Sequence, residues 1–222
     1  MNEYSFILWH DQPMAATVKK TKRTARREQR RQQLIDATMK CIARRGMSST
    51  TLGDVAREAG LSQGIVNLHF ESKENLLTET LRFLADEYKA HFNKTYEKSG
   101  PGPADKLRAL VELDLRPSIC DRRKVAVWFA FWGEVQSRPT YRKICDERDQ
   151  YYDDTVERLA GEIIVEGDYR DVTAASVAMV LTSMTNGLWL SCLISPRTFD
   201  RHKAMDALLE YLSSVFPKHF SQ

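Results

Sequence analysis

From about residue 29 onward, apolar residues recur every three or four positions, the period of α-helices packed on one face. Leu34, Ala37, Thr38, Cys41 and Ile42 form the first such face, from about Gln29 to Arg44-Arg45-Gly46, where a basic last turn and a glycine mark a helix end. Leu52, Val55, Ala56 and Ala59 form a second. Thr51 precedes it with Asp54 three residues on, so the threonine oxygen can cap free N–H groups while the carboxylate sits at the positive end of the helix dipole. Gly60 supplies a left-handed stop with Leu61 tucked beneath it. Ser62 stands in capping position for a third helix, in which Val66 and Phe70 turn inward while Ser62, Gln63, Gly64 and Asn67 point out. Ser72 caps a fourth, carrying Leu76, Leu77, Leu81, Leu84, Tyr88 and Phe92 to about Lys98, and Ser99-Gly-Pro-Gly-Pro103 breaks it.

The same period continues to the end of the chain. It predicts helices over 104–116 (ended by Pro117), 122–138 (stopped before Pro139), about 140–162, an almost uncharged 171–193, and 199–216, with Gly167 in a loop. No alternating strand pattern and no repeat is visible, so the fold class expected is all-α with about nine helices. The organisation expected is an extension and basic arm over 1–25, disordered; a three-helix unit over 26–75; and a helical bundle over 76–222.

Two short helices joined across Gly60 must cross steeply, which is helix-turn-helix geometry. The outward set on the second of them is small and polar, suited to a major groove: Gln and Asn pair with adenine edges, and Gly64 lets the backbone approach a phosphate. Lys73, in the first turn of the fourth helix, is placed as a phosphate clamp, and His69 can donate to a phosphate as well. Many helical proteins contain such a pair, so charge decides. Residues 18–73 hold 13 Lys and Arg against 5 Asp and Glu, net +8; the whole chain has 33 against 30, which leaves 20 against 25, net −5, elsewhere. The basic surplus sits with the motif, as a phosphate footprint should. The run Lys19, Lys20, Lys22, Arg23, Arg26, Arg27, Arg30 and Arg31 extends it as an arm able to reach phosphates or the minor groove.

The order Thr-x-x-Asp-Val-Ala, Ala-Gly-Leu-Ser, Gly64, His69-Phe70 and Ser72-Lys73-Glu74-x-Leu-Leu resembles the N-terminal domain of TetR-type one-component repressors. That resemblance implies double-stranded operator DNA as partner, with Thr51, Ser62, Gln63, Gly64, Asn67, His69 and Lys73 on the reading surface. One helix pair contacts too few bases to be specific, so a symmetric homodimer on a palindromic operator, half-sites roughly 34 Å apart, is expected. The apolar helix over 171–193, paired with 199–216, would supply half of a four-helix dimer interface, as the family does.

Trp128-Phe-Ala-Phe-Trp132 places four aromatic rings on little more than one turn, with the two tryptophans four residues apart on one face. Two indole N–H groups in register need partners, which favours a pocket wall over plain core. Indole faces attract cations by roughly 0.5–2 kcal/mol per contact, and aromatic cages suit a quaternary ammonium. VWFAFW, RPTYRKICDERDQYY, NGLWL at 186–190, RTFDRHKA and RRQQLIDATM together resemble the BetI type of TetR repressor, which responds to choline and regulates its conversion to glycine betaine. The resemblance implies a small cationic ligand, choline or a similar amine, with Trp128, Trp132 and Trp189 as cage walls and Phe129 in support. Asn186 departs from it, standing where an Asp is expected. Glu134, Asp114 or Asp149 would supply negative charge, and Tyr151 and Tyr152 are further candidates. A different cationic or hydrophobic ligand is the rival reading.

Composition adds limits. With 42% hydrophobic and 28% charged residues, the 222-residue chain has ordinary soluble proportions. Cys41, Cys120, Cys145 and Cys192 are scattered without metal-ligand spacing, pointing to free thiols in a reducing cytoplasm and to no metal or other cofactor. Phe6 to Trp9 is too short for a signal or membrane segment, and no other is expected; translation starting at Met14 would remove it. No Ser/His/Asp or Cys/His arrangement is apparent and the five histidines are dispersed, so an enzyme is not expected. A non-specific architectural DNA binder would differ by steep salt dependence with little sequence preference.

Overall fold

The computed structural model describes residues 22–220. Among them are nine α-helices and no strands: α1 Lys22–Arg45, α2 Leu52–Ala59, α3 Gln63–Phe70, α4 Lys73–Lys98, α5 Pro103–Asp114, α6 Arg122–Trp132, α7 Pro139–Gly167, α8 Ala174–Ile194 and α9 Arg201–Val215.

Local sequence explains the N-terminal unit. Thr51 and Asp54 form a complete capping box on α2: Thr51 Oγ1 accepts from the Asp54 N–H at 3.1 Å and Asp54 Oδ2 accepts from the Thr51 N–H at 3.2 Å. Gly60 closes α2 at φ 64°, and the Leu61 N–H reaches back to the Ala56 carbonyl at 2.9 Å. Ser72 caps α4 through the Asn75 N–H. Ser62 does not behave as its position suggests: it is the N-cap residue of α3, but its side chain makes no capping hydrogen bond.

Some boundaries differ from the sequence reading. Helix α1 starts at Lys22, about two turns before Gln29, so residues 22–25 of the expected disordered arm are helical and Arg23, Arg26, Arg27, Arg30 and Arg31 ride on that helix. Lys19, Lys20 and the apolar run Phe6 to Trp9 lie outside the described residues. Helix α6 ends at Trp132, not at 138, because Gly133 to Ser137 turn back in successive tight hydrogen bonds. Helix α7 runs on to Gly167, with Asp168 at φ 48° taking the left-handed position expected of a glycine.

The long α4 buries Leu76, Leu77, Thr80, Leu81, Leu84, Tyr88, Phe92 and Thr95, starting in the N-terminal unit and finishing among α5 and α7. Helix α6 packs along α1, and α8 lies on α7 and α6. Helix α8 buries Val177, Leu181, Thr185 and Trp189 but leaves Met179, Ser183, Gly187, Leu190 and Ile194 exposed as a stripe. By length and composition α8 is apolar enough to cross a membrane, which corrects the expectation of no such segment. Its apolar character has a packing explanation, since one face fills the core against α6, α7 and α9.

Candidate functional site

Two surfaces combine unusual chemistry. The first is the outer face of α3, where Ser62, Gln63, Gly64 and Asn67 are all exposed. Gly64 is informative because the fold does not need it. Its φ is helical, and an added Cβ would meet only Ser62 Oγ at 3.8 Å, an ordinary contact. A glycine in a helix costs about 1 kcal/mol against alanine, so its presence points to something outside the chain that must come close. Leu68, 72% exposed, extends the same face one turn beyond Gly64. The sequence reading passed over it, though an apolar residue four positions from Gly64 on a polar face was the available signal; a thymine methyl is the base edge that leucine can touch.

The neighbouring groups are more constrained. Thr51 is exposed, but its hydroxyl is engaged, donating to Asp54 Oδ2 at 2.7 Å. This contact leads the causes that hold the Asp54 carboxyl down at about 2, with Arg45 and Arg57 adding to it. Lys73 is half-buried and donates to the Ser48 carbonyl at 3.2 Å, tying α4 to the turn before α2. His69 is half-buried; burial first, then the positive charges of Arg27, Arg30 and Arg31, lower its pKa, so near neutral pH it offers one N–H rather than a charge. Among the described residues no carboxylate lies within ion-pair distance of the exposed Arg23, Arg26 and Arg27, whereas Arg44 and Lys40 engage Glu58 and Arg45 engages Asp54. The unpaired positive charge is thus concentrated on the first turns of α1.

The second surface is internal. Trp128, Trp132 and Trp189 come together from α6 and α8: Trp132 and Trp189 stack 12° from parallel at 6.4 Å, Trp128 lies 6.2 Å from Trp132, and Phe129 meets Trp132 edge-on at 4.9 Å. Trp189 Nε1 donates to the Asp114 backbone carbonyl at 2.8 Å, which fixes that ring. The Asp114 carboxyl is fully buried and accepts from the Tyr88 hydroxyl at 2.7 Å. Burial pushes it up to about 6, against the opposing pull of Tyr88 and of Arg148.

A small cavity adjoins this cluster, lined by Trp189 but not by Trp128, Phe129 or Trp132, and Asn186 borders it together with Asp114, Asp149, Asp153, Tyr152 and Thr185. Glu134 does not. With α6 ending at Trp132 it falls in the following turn, beside Ser137 and 3.9 Å from Arg138. Tyr152 is buried next to Asp114, while Tyr151 faces outward and donates to Asn93 at 2.6 Å. Tyr88 and Arg148 are the residues missed in the sequence. Tyr88 had been assigned only to the α4 packing seam, and Arg148 sits in a stretch so charged that nothing marked it as the inward member. Its guanidinium carbon lies 4.8 Å from the Trp128 ring centroid, 5.6 Å from Trp132, 5.9 Å from Trp189 and 5.2 Å from Tyr88.

The two surfaces are linked through α6, whose inner wall carries the tryptophans and whose outer side packs on α1. Ion pairs tie the elements on both sides of that contact to α4: Arg138 meets Glu74 at 2.5 Å, Arg31 on α1 meets Glu79, and Lys124 on α6 meets Glu87 at 2.7 Å.

Comparison with known proteins agrees with this arrangement. Residues 34–80 match the family described as bacterial regulatory proteins, tetR family, and residues 103–217, just over half of the chain, match the BetI-type transcriptional repressor C-terminal domain. The HTH-type transcriptional regulator BetI of Paraburkholderia phymatum is 32% identical over 187 residues, covering 84% of this chain and 92% of that protein. A transcriptional regulator structure from Saccharomonospora viridis in complex with choline superposes with a TM-score of 0.73 at 25% identity, covering 84% of this chain and 96% of that one. One from Pseudomonas aeruginosa, at 24% identity, shares the fold with a TM-score of 0.75 over 87% of this chain and 93% of that chain. The chain therefore belongs to the tetR family of bacterial regulatory proteins and is a transcriptional regulator, not an enzyme, with a BetI-type C-terminal half.

Proposed function

We propose that the protein is a cytoplasmic homodimeric repressor that binds a palindromic operator through α3, senses choline or a similar quaternary amine in the tryptophan cavity, and controls choline and glycine betaine genes. The observation that carries the ligand reading is the cluster of three indole rings, of which Trp189 also lines a small cavity bordered by Asp114, Asp149 and Asp153. The rings suit the methyl groups of a quaternary ammonium and the carboxylates its charge. Those three acids compensate for the neutral Asn186. Thr185 Oγ1, buried at the same cavity with no hydrogen-bond partner among the described residues, suits a ligand bearing one hydroxyl, as choline does. The choline complex of the Saccharomonospora viridis protein supports the same ligand class.

Gln63, Gly64, Asn67 and Leu68 would face base edges, with Ser62, Lys73, His69 and the first turns of α1 on the phosphates. The exposed stripe on α8, with Gly187 open on it, supports α8 as the dimer interface. Ligand acts by differential affinity for the DNA-competent and released forms, the shift passing from α6 to α1. Four buried free thiols fit a reducing compartment.

The experiment is a calorimetric titration with choline beside its uncharged isostere, in which carbon replaces the ammonium nitrogen. Saturable binding of choline alone supports the cation cage. Equal binding of both redirects the site to an apolar ligand, and binding of neither removes choline from the reading while leaving the DNA-binding assignment in place.

A further inference from the structure

The tryptophan cluster already holds a cation. Arg148, on α7, has its side chain 10% exposed, with its guanidinium within 6 Å of the ring centres of Trp128, Trp132, Trp189 and Tyr88. With it in place, the space left beside Trp189, Asp114 and Thr185 is about 10 Å³, room for roughly one water. A trimethylammonium group cannot enter without displacing it.

The fit is imperfect. Arg148 Nη2 meets Asp149 Oδ1 at 2.7 Å, but its Nε is buried with no hydrogen-bond partner among the described residues. Aromatic faces attract the charge of a guanidinium yet leave its N–H donors unmet. A quaternary ammonium carries the same charge and has no N–H donor to lose.

An exit adjoins the cage. Arg148 also borders a larger cavity of about 260 Å³ between α4 and α7, shared with Tyr88 and lined by Asp86 and Glu147 as well as by Arg82 and Lys89. Rotation about its side-chain bonds would carry the guanidinium there, where water and either carboxylate can serve its donors.

We propose that Arg148 is a tethered competitor that fills the tryptophan cage, and that a quaternary ammonium ligand binds by taking its place while the guanidinium moves into the Asp86/Glu147 cavity. The inference rests on the cation-cage reading above and adds its regulation. It makes the empty protein a self-occupied state and raises the ligand concentration needed for half-saturation. It also gives a basis for selectivity, because primary amines and guanidines would meet the same unmet donors that Arg148 does.

Two measurements test it. In the wild-type protein, phenylglyoxal modification followed by peptide mass spectrometry reads the accessibility of each arginine. Arg148 is expected to be protected without ligand and to become several-fold more reactive at saturating choline, with Arg142 as an internal reference. In parallel, choline is titrated into Arg148→Met and Arg148→Lys, with folding checked by circular dichroism. Removing the competitor is expected to tighten choline binding by about tenfold or more in Arg148→Met, since apparent affinity scales with the fraction of open sites, and by less in Arg148→Lys. Unchanged Arg148 reactivity at saturation, or equal or weaker binding by a folded Arg148→Met, overturns the proposal while leaving the cage reading standing. Binding by Arg148→Met alone supports it. Binding by neither protein overturns the cage reading and this inference with it. If Arg148→Met does not fold, the wild-type footprint decides.

Discussion

Trp189 and Asp114 are joined by a hydrogen bond from the indole Nε1 to the Asp114 carbonyl, 2.8 Å long and 75 residues apart in sequence. The same Asp114 accepts from the Tyr88 hydroxyl through its side chain, so one residue at the end of α5 fastens α8 with its backbone and α4 with its carboxyl. Trp189→Phe removes the indole donor and the largest ring but keeps an aromatic face. Choline affinity is expected to fall by about 1–2 kcal/mol, read calorimetrically. Unchanged affinity would take Trp189 out of the cage.

The Asp114 carboxyl, at about 6 in the folded chain against 3.8 unperturbed, makes stability depend on pH. For an acid raised on folding, the native state holds the extra proton between those values. Its penalty is absent below about pH 4, grows as pH rises and is complete above about pH 6, reaching roughly 3 kcal/mol for a shift of about 2 units. Asp114→Asn should therefore gain stability relative to wild type as pH is raised from 4.5 to 7.5 in urea denaturation. A constant difference across that window would show that Asp114 is not the titrating group.

Choline binding should show the complementary trend. A cation favours the ionised carboxyl, and in Arg148→Met no guanidinium leaves as it arrives. Affinity in that variant is therefore expected to decline as pH falls below about 6 and to lose that slope when Asp114→Asn is added. The wild type, exchanging one cation for another, is expected to show a shallower slope.

Gly64 separates reading from folding. Alanine there meets no obstacle and improves helix propensity, so Gly64→Ala is expected to raise stability by about 0.5–1 kcal/mol. Operator binding should nevertheless weaken, as fluorescence anisotropy on labelled duplex would record. Full operator affinity would mean that nothing approaches that backbone.

Gln63→Ala should weaken operator binding by about 1–3 kcal/mol and leave binding to random duplex nearly unchanged. An equal loss on both would reassign Gln63 to the phosphates.

Met179, 70% exposed on the open stripe of α8, tests assembly. If α8 forms the proposed dimer interface, Met179→Glu would place a charge in it and is expected to shift sedimentation from dimer to monomer; an unaltered dimer would move the interface elsewhere.

How much of this was legible in the residues follows from the range of the interactions. Caps and stops are local, so Thr51 with Asp54, Gly60 and Ser72 could be recognised from spacing alone. The four-residue register of Trp128 and Trp132 was equally local, and the resemblance to BetI-type repressors added Trp189. The end of α6 depended on the turn through Gly133, and misjudging it put Glu134 on the wrong side of the pocket. Arg148 was hidden for a different reason. Its stretch, Asp146 to Asp149, reads as a solvated face, and only tertiary packing shows which charge turns inward. Tyr88 was hidden because a tyrosine in a packing seam looks the same whether or not its hydroxyl meets an acid from another helix.

The packing of α6 along α1 implies a short line of communication. The wall that would feel the ligand and the spine that orients α3 are nearest neighbours, about one helix diameter of 10 Å apart. Nothing needs to be relayed through the length of the bundle. Faults in signalling should therefore concentrate at that seam and at the α4 ion pairs beside it, as proteins that still hold both ligand and operator at full strength while each has become indifferent to the other.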